Sequence, residues 1–149
     1  MTMAVRVRPL KASDLAAVSR IERRITGSRR TGTLARNLRK RLAQPDRGSC
    51  LAAVEGDHRV VGFIVGEIRP WEFGEEREVG WILVVGVDPH YQGKGVGGLL
   101  GASLLRHFRA KGVRRAKTLA EWDAGDVIAY FRTLGFARGS AVALEADLA

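Results

Sequence analysis

The stretch Val87–Leu100, "VDPHYQGKGVGGLL", places four glycines (Gly93, Gly95, Gly97 and Gly98) among six residues, with Lys94 between the first two. An apolar run follows at once. A helix that starts here presents backbone N–H groups without intrahelical partners and the positive end of its dipole. Glycines remove the Cβ atoms that would keep a ligand away from those groups, and Lys94 adds positive charge. This combination suits a phosphate or pyrophosphate group.

Two familiar phosphate loops fit poorly. No Lys-Ser or Lys-Thr step follows the glycines, as a P-loop requires. Gly93, Gly95 and Gly98 satisfy G-x-G-x-x-G formally. That fingerprint, however, belongs after the first strand of a parallel sheet, whereas here it follows several strands and a hairpin. A glycine-rich turn that serves only close helix–strand packing is the plain structural alternative.

The elements that must position this turn are legible from periodicity. "AVRVRPL" alternates as a strand. Ser13 is placed to cap a helix over "DLAAVSRIERRIT", and Thr33 to cap a second over "LARNLRKRLAQ", which Pro45 ends. "SCLAAVE" and "RVVGFIVGEIR" read as a hairpin joined by "GDH". "REVGWILVVGV" is nearly all apolar, so it is expected at the centre of a sheet covered on both faces. After the glycine turn, "GGLLGASLLRHFRAKG" forms an amphipathic helix closed by Gly112. A strand over "VRRAKTLAEW", a short helix over "AGDVIAYFRTLGF" and a final strand over "ARGSAVALEADL" complete the chain. The order implies a single α/β (α+β) domain over 4–149, with antiparallel strands early and a β-α-β crossover late.

With 149 residues, the chain has the length of one domain with a real core. No apolar run reaches the roughly 20 residues of a membrane span, and the N-terminal residues lack a signal-peptide core. Cys50 is the only cysteine, which fits a reducing cytoplasm. His58, His90 and His107 are too scattered for a metal site. The net charge of +9 is uneven: Arg20–Arg41 holds nine Lys/Arg against Glu22 alone. That segment reads as a solvated arginine-rich face or as a docking surface for an acidic partner. Nucleic acid is a weaker partner, because no binding motif or interleaved aromatics accompany the charges.

The residues Gln92-Gly93-Lys94-Gly95-Val96-Gly97, preceded by Val87, Pro89 and Tyr91, resemble the Q/R-x-x-G-x-G/A acyl-CoA motif of the GNAT N-acetyltransferases. "VIAYFRTLGF", Val127–Phe136, is similar to that family's C-terminal helix. The resemblance implies a mixed, mostly antiparallel sheet with one splayed parallel strand pair and about four helices. It implies acetyl-CoA as co-substrate and no metal. The pyrophosphate would lie on the N–H groups of Gln92, Gly93, Lys94, Gly95, Val96, Gly97 and Gly98. Pantetheine would pair with the backbone of Val85 and Val87, with Gly86 as the bulge that opens the gap. An N–H near Val85 would polarise the thioester carbonyl.

The resemblance also frames the proton transfers. Glu67, Glu78 and Glu121 are the candidate bases for the acceptor amine, and Trp81 stands where some family members carry a glutamate. The family's usual acidic tyrosine falls at Phe131, which is left to contact the cofactor. Tyr130, one position away, is the substitute acid. The acceptor side would be built by the arginine-rich segment together with Trp71 and Phe73, favouring an amine that carries carboxylate or phosphate groups. A protein or peptide amine is placed ahead of a small molecule, and a non-catalytic acyl-CoA-binding regulatory domain is the alternative. A homodimer through the sheet edge or the final strand is compatible with the pattern.

Overall fold

A computed structural model describes residues 4–27, 31–44, 49–70, 77–121 and 123–149. Its elements are β1 (Val5–Pro9), α1 (Leu15–Thr26), α2 (Thr31–Leu42), β2 (Cys50–Glu55), β3 (Arg59–Arg69), β4 (Val79–Val87), α3 (Val96–Ala110), β5 (Ala116–Thr118) and α4 (Gly125–Thr133). The strands lie in the order β1-β2-β3-β4-β5. The first three pairings are antiparallel, and β4–β5 is parallel.

The continuous apolar runs of β2, β3 and β4 follow from a sheet buried on both faces. On one face α1 and α2 deliver Val18, Ile21, Leu34 and Leu38 onto Ala52, Val54, Phe63 and Val65. On the other, α3 delivers Val96, Leu100, Leu104 and Phe108 onto Ala53, Val61, Ile64 and Ile82, with Phe131 of α4 beside them. Helical spacing near 3.6 places each set on one stripe, and strand alternation divides β3 between the two cores.

Helix α3 packs directly over glycines of the sheet. A Cβ on Gly80 would stand 2.5 Å from the Phe108 ring, and one on Gly66 would stand 2.9 Å from Leu104 Cδ2. These glycines of β3 and β4 therefore set the height of the helix whose first turn is the phosphate-type loop.

Asp14 fixes the start of α1 and ties it to β1. Its carboxylate accepts the Lys11 N–H at 2.8 Å and both terminal Arg8 nitrogens at 2.7 and 2.9 Å. Burial alone would push this carboxyl up, but the Arg8 and Lys11 hydrogen bonds and the neighbouring positive charges hold it below its ordinary value.

Several boundaries differ from the sequence reading. Asp14, not Ser13, occupies the cap position of α1, because Ala12–Asp14 forms a preceding 3-10 turn. Helix α2 begins at Thr31, so Thr33 lies within it. Pro45 and the loop residues Trp71 and Phe73 fall outside the described residues. The expected strand over 113–122 is reduced to three residues. The final strand is not formed: residues 137–149 run as exposed, non-sheet chain, since alternation alone makes no strand without a neighbour to complete its hydrogen bonds.

Gly80→Ala is expected to lower stability by about 1–3 kcal/mol through overpacking against Phe108. Phe108→Leu in the same chain should recover part of that loss, because it withdraws the ring. Urea unfolding of the two variants checks both statements.

Candidate active site

Strand β4 holds β5 for three residues only. Gly80, Trp81 and Ile82 face Ala116, Lys117 and Thr118. The Thr118 hydroxyl donates to the Ile82 carbonyl at 2.9 Å and ends the ladder. On the opposite edge the β3 register skips at this same point: Val65 faces Val84 and Gly66 faces Ile82, leaving Leu83 as the extra residue. Such a bulge bends the strand and sharpens its twist. Beyond Ile82, β4 continues to Val87 along β3 with β5 no longer paired to it. The result is a cleft lined on one side by the backbone of Leu83–Val87.

The bulge is thus at Leu83 and not at Gly86. Gly86 has a different cause: a Cβ there would lie 2.6 Å from Phe63 Cε1. Phe63 is fully buried on the α1–α2 face, so Gly86 is required by the core.

At the end of β4 the chain is pinned. Asp88 is 1% exposed, and its Oδ1 accepts the His90 N–H at 3.0 Å, capping the 3-10 turn Pro89–Tyr91. Arg24 of α1 donates one nitrogen to both carboxylate oxygens at 2.9 Å. The Tyr91 hydroxyl donates to Glu55 at 2.8 Å, at the end of β2, and Lys94 Nζ lies 5.6 Å from the centre of the Tyr91 ring. The Gln92 side chain donates back to the Val87 carbonyl at 3.2 Å. Gln92 therefore closes the strand end through its side-chain amide nitrogen, while its backbone faces the turn.

The turn then delivers the start of α3. Gly93 and Gly95 adopt φ of +76° and +83°, conformations that side chains disfavour. A Cβ at Gly93, Gly95 or Gly98 would meet nothing within 4 Å, so the backbone fronts open space. The Leu99 N–H bonds to the Gly95 carbonyl at 3.0 Å, and the N–H groups of Val96, Gly97 and Gly98 precede that first helical bond. These residues fit an anionic group: the donors are present and the space in front of them is clear.

The candidate acids and bases divide between the two faces of the sheet. Glu67 pairs in register with Trp81, so both project on the α1–α2 face. There Glu67 Oε2 contacts Arg69 Nε at 3.0 Å and Arg41 of α2 at 3.2 Å, while the Arg69 guanidinium lies 5.3 Å from the Trp81 ring centre. Glu78 is exposed just before β4, and Glu121 is exposed past β5, where its carbonyl accepts the Ala124 N–H.

On the opposite face, Phe131 is 7% exposed and sits edge-on between Tyr130 and Phe136. It is a core residue, which places the expected cofactor contact inside the protein. Tyr130 donates its hydroxyl to the Gly97 carbonyl at 2.8 Å, and its Cε1 would stand 3.2 Å from a Cβ at Gly97. Burial pushes this phenol up to about 12. Tyr130 thus buttresses the first turn of α3 from behind. Val85 and Val87 are partly buried against the α3-side core.

A family model described as the acetyltransferase (GNAT) family matches residues 15–136. The chain belongs to this family. Among curated GNAT relatives, a mycothiol acetyltransferase of Nocardioides sp. is 36% identical over 112 residues, covering 68% of this chain and 38% of the relative. One from Saccharomonospora viridis is 41% identical over 87 residues, covering 56% and 28%. The chain therefore spans well under half the length of these relatives. Among solved structures, an aminoglycoside N-acetyltransferase in complex with CoA superposes with a TM-score of 0.82 at 17% identity, covering 100% of this chain and 98% of that one. An acetyltransferase of Trypanosoma brucei gives 0.70 at 26% identity, covering 97% and 100%. The splayed parallel pair and the glycine turn expected of a GNAT fold are both present.

Sequence reasoning missed Asp88 and its partner Arg24, the Thr118 clasp and the Tyr91–Glu55 bond. An Asp before Pro89 is a visible turn signal, but its partner 64 positions away is set by the fold.

The two tyrosines supply a test of the buttress. Both phenols are raised, Tyr91 by its hydrogen bond to Glu55 and Tyr130 by burial. Tyrosinate absorbance of the folded protein should lag behind that of the unfolded chain, which titrates near pH 10. Tyr130→Phe should remove the latest transition. The stability that Tyr130 gives through this shift is complete below about pH 10 and lost as pH rises toward 12.

Proposed function

We propose that this chain transfers the acetyl group of acetyl-CoA to the primary amine of a small molecule that carries an acidic group. The observation that carries the reading is the cleft beyond Ile82 and Thr118, which leads along the Leu83–Val87 backbone to the N-terminus of α3. The N–H groups around Gly93–Gly98 would hold the pyrophosphate. The backbone of Val85 and Val87 would align the pantetheine as an added strand, and an N–H near Val85 would polarise the thioester carbonyl. The amine nitrogen attacks the carbonyl carbon, the C–S bond breaks, and the CoA thiolate leaves. A thiol pKa of about 8.5 lets the thiolate depart without a dedicated acid, so Tyr130 need not supply one.

The acceptor proposal rests on the α1–α2 face. Arg41 and Arg69 converge on Glu67 above the buried Trp81, giving a patch with more positive than negative charge. The relatives bear the names of small-molecule acetyltransferases, which favours a small-molecule amine over the protein or peptide amine expected from sequence. Of the three carboxylates, Glu67 is the one fixed by neighbours on that face. We assign it the amine's proton, taken directly or through water. No helix among the described residues is long and apolar enough to cross a membrane. We place the protein in the cytoplasm, where acetyl-CoA is made available.

A non-catalytic acyl-CoA-binding role is the second reading. One observation favours it: Tyr130 is engaged with Gly97 and Phe131 is buried, leaving no phenol at the cleft from α4.

Titration calorimetry with acetyl-CoA, CoA and desulfo-CoA should show binding of all three. Gly95→Glu should weaken it by at least about 100-fold, since the new side chain meets a φ of +83° and carries negative charge into the cradle. Failure of the intact protein to bind any of them overturns the reading. Thiol release with a panel of acidic amines then separates enzyme from binder: binding without turnover on any amine leaves the second reading standing.

A further inference from the structure

Asp88 is an exception in charge. Residues 89–120, which hold the glycine turn, α3 and β5, contain seven Lys/Arg and no Asp or Glu. Asp88 stands immediately before them and is almost fully buried. Its neighbour Val87 accepts the Gln92 side chain and would lie 3.7 Å from a Cβ at Gly97, so the acid sits at the base of the turn. A buried carboxylate beside a seat for pyrophosphate is unfavourable by itself, because like charges repel most where water is excluded. Its presence has a local cause: Oδ1 accepts the His90 N–H at 3.0 Å and caps the 3-10 turn that leads to Gly93.

The compensating charge comes from the opposite face of the sheet. Arg24 belongs to the arginine-rich segment and lies in the last turn of α1. Its Nη1 donates to both Asp88 oxygens at 2.9 Å, across 64 positions of chain. The Arg24 side chain is 35% exposed and that of Asp88 1%, so the acid is inside and the cation at the rim. A second acid at the turn is treated alike. Glu55, which accepts the Tyr91 hydroxyl, faces Arg59 across the β2–β3 ladder, and Arg59 lies 5.9 Å from the centre of the Tyr91 ring. The Tyr91 phenol feels both acids: the Glu55 hydrogen bond raises it most, and the Glu55 and Asp88 charges raise it further, against Arg59.

We infer that Arg24 is a positioning residue for acetyl-CoA: it cancels the Asp88 charge beside the pyrophosphate seat, so that the acid can cap the turn without repelling the ligand. This rests on the placement of the pyrophosphate at Gly93–Gly98. Arg24 acts through Asp88 and not on the ligand. The N-terminus of α3 and Lys94 attract the anion, and the ion pair removes the charge that would oppose them. The two members of the pair are therefore unequal. Loss of the cation exposes a buried negative charge, whereas loss of the acid removes it. A tie that only held α1 to the end of β4 would make the two losses alike.

Titration calorimetry with CoA on the unsubstituted chain, Arg24→Gln, Asp88→Asn and the double variant tests this. Arg24→Gln should raise the CoA dissociation constant at least about tenfold, and high salt should narrow the gap. Asp88→Asn should bind CoA at least as tightly as the unsubstituted chain, because the amide oxygen still accepts the His90 N–H and Arg24 stays positive. The double variant should fall between the two single ones. Should Arg24→Gln not fold, Asp88→Asn against the double variant carries the test: the retained Arg24 charge makes the single variant the tighter binder, and the reverse order overturns the inference. Equal weakening in Arg24→Gln and Asp88→Asn, or none in Arg24→Gln, overturns it too and leaves the glycine cradle in place. An unsubstituted chain that binds no CoA overturns the cradle itself, and this inference with it.

Discussion

Everything at the candidate site depends on where β4 and β5 part. A parallel pair would ordinarily continue its ladder, because each abandoned backbone group loses a partner. Here the ladder stops after Ile82 and Thr118, and three local features hold it open. The Thr118 hydroxyl takes the Ile82 carbonyl, the Leu83 bulge turns β4 at the same level, and β3 keeps the far edge of β4 paired to Val87. β4 can leave one neighbour because it does not leave the other. Inside the sheet, between two of its strands, the opened backbone is a place where an extended ligand can complete the hydrogen bonds that a strand would otherwise make.

The glycine turn is useful only if it sits at the end of that opened strand, and two kinds of constraint place it there. From below, small residues under α3 let Leu104 and Phe108 sink toward β3 and β4, fixing the helix height. From the sides, Arg24 on Asp88, Tyr91 on Glu55 and Tyr130 on Gly97 anchor the turn to α1, β2 and α4. Asp88 is the buried member of this set and Tyr130 is partly buried, and there charge-assisted and satisfied hydrogen bonds count for most. At Gly93, Gly95 and Gly98 the loop leaves open space in front of its backbone. A loop with φ values that only glycine adopts readily is rigid when its surroundings fix it from three directions.

Much of this was legible in the sequence. The β2–β3 hairpin, the buried β4 and the amphipathic α3 were clear because apolar periodicity reports a two-faced sheet directly. The glycine spacing located the loop for the same reason that the loop works: nothing but glycine leaves that space empty. What could not be read was relational. Gly86 invites a bulge by its residue type, but Phe63 across the strand explains it, and the bulge falls on Leu83, which carries no signal of its own. Phe131 and Tyr130 differ by one helical position, and only packing shows that Phe131 enters the core while Tyr130 reaches Gly97. The alternation of the 137–148 segment predicts a strand and is genuine; the ladder that would make it one is absent from the single chain.

The division of candidate groups between the sheet's faces bears on how little side-chain chemistry such a site needs. Glu67 and Trp81 lie on the α1–α2 face, whereas Tyr130 lies on the face of α3 and α4. A residue that took a proton from an amine and one that gave a proton to a thiolate would act through the plane of the sheet, where β4 and β5 separate. That geometry suits a direct attack in which donor and acceptor approach from opposite sides of the cleft. A thiolate is already a competent leaving group near neutral pH, so the acid side can be given over to structure, as Tyr130 is. The amine side cannot, because an ammonium has no lone pair with which to attack. In the proposed reaction the demand for a proton acceptor falls on the α1–α2 face, where Arg41 and Arg69 hold Glu67 in place. Under the proposed function, the same guanidinium groups that fix Glu67 would set the charge an incoming substrate meets, which would couple acceptor selectivity to deprotonation in a single cluster.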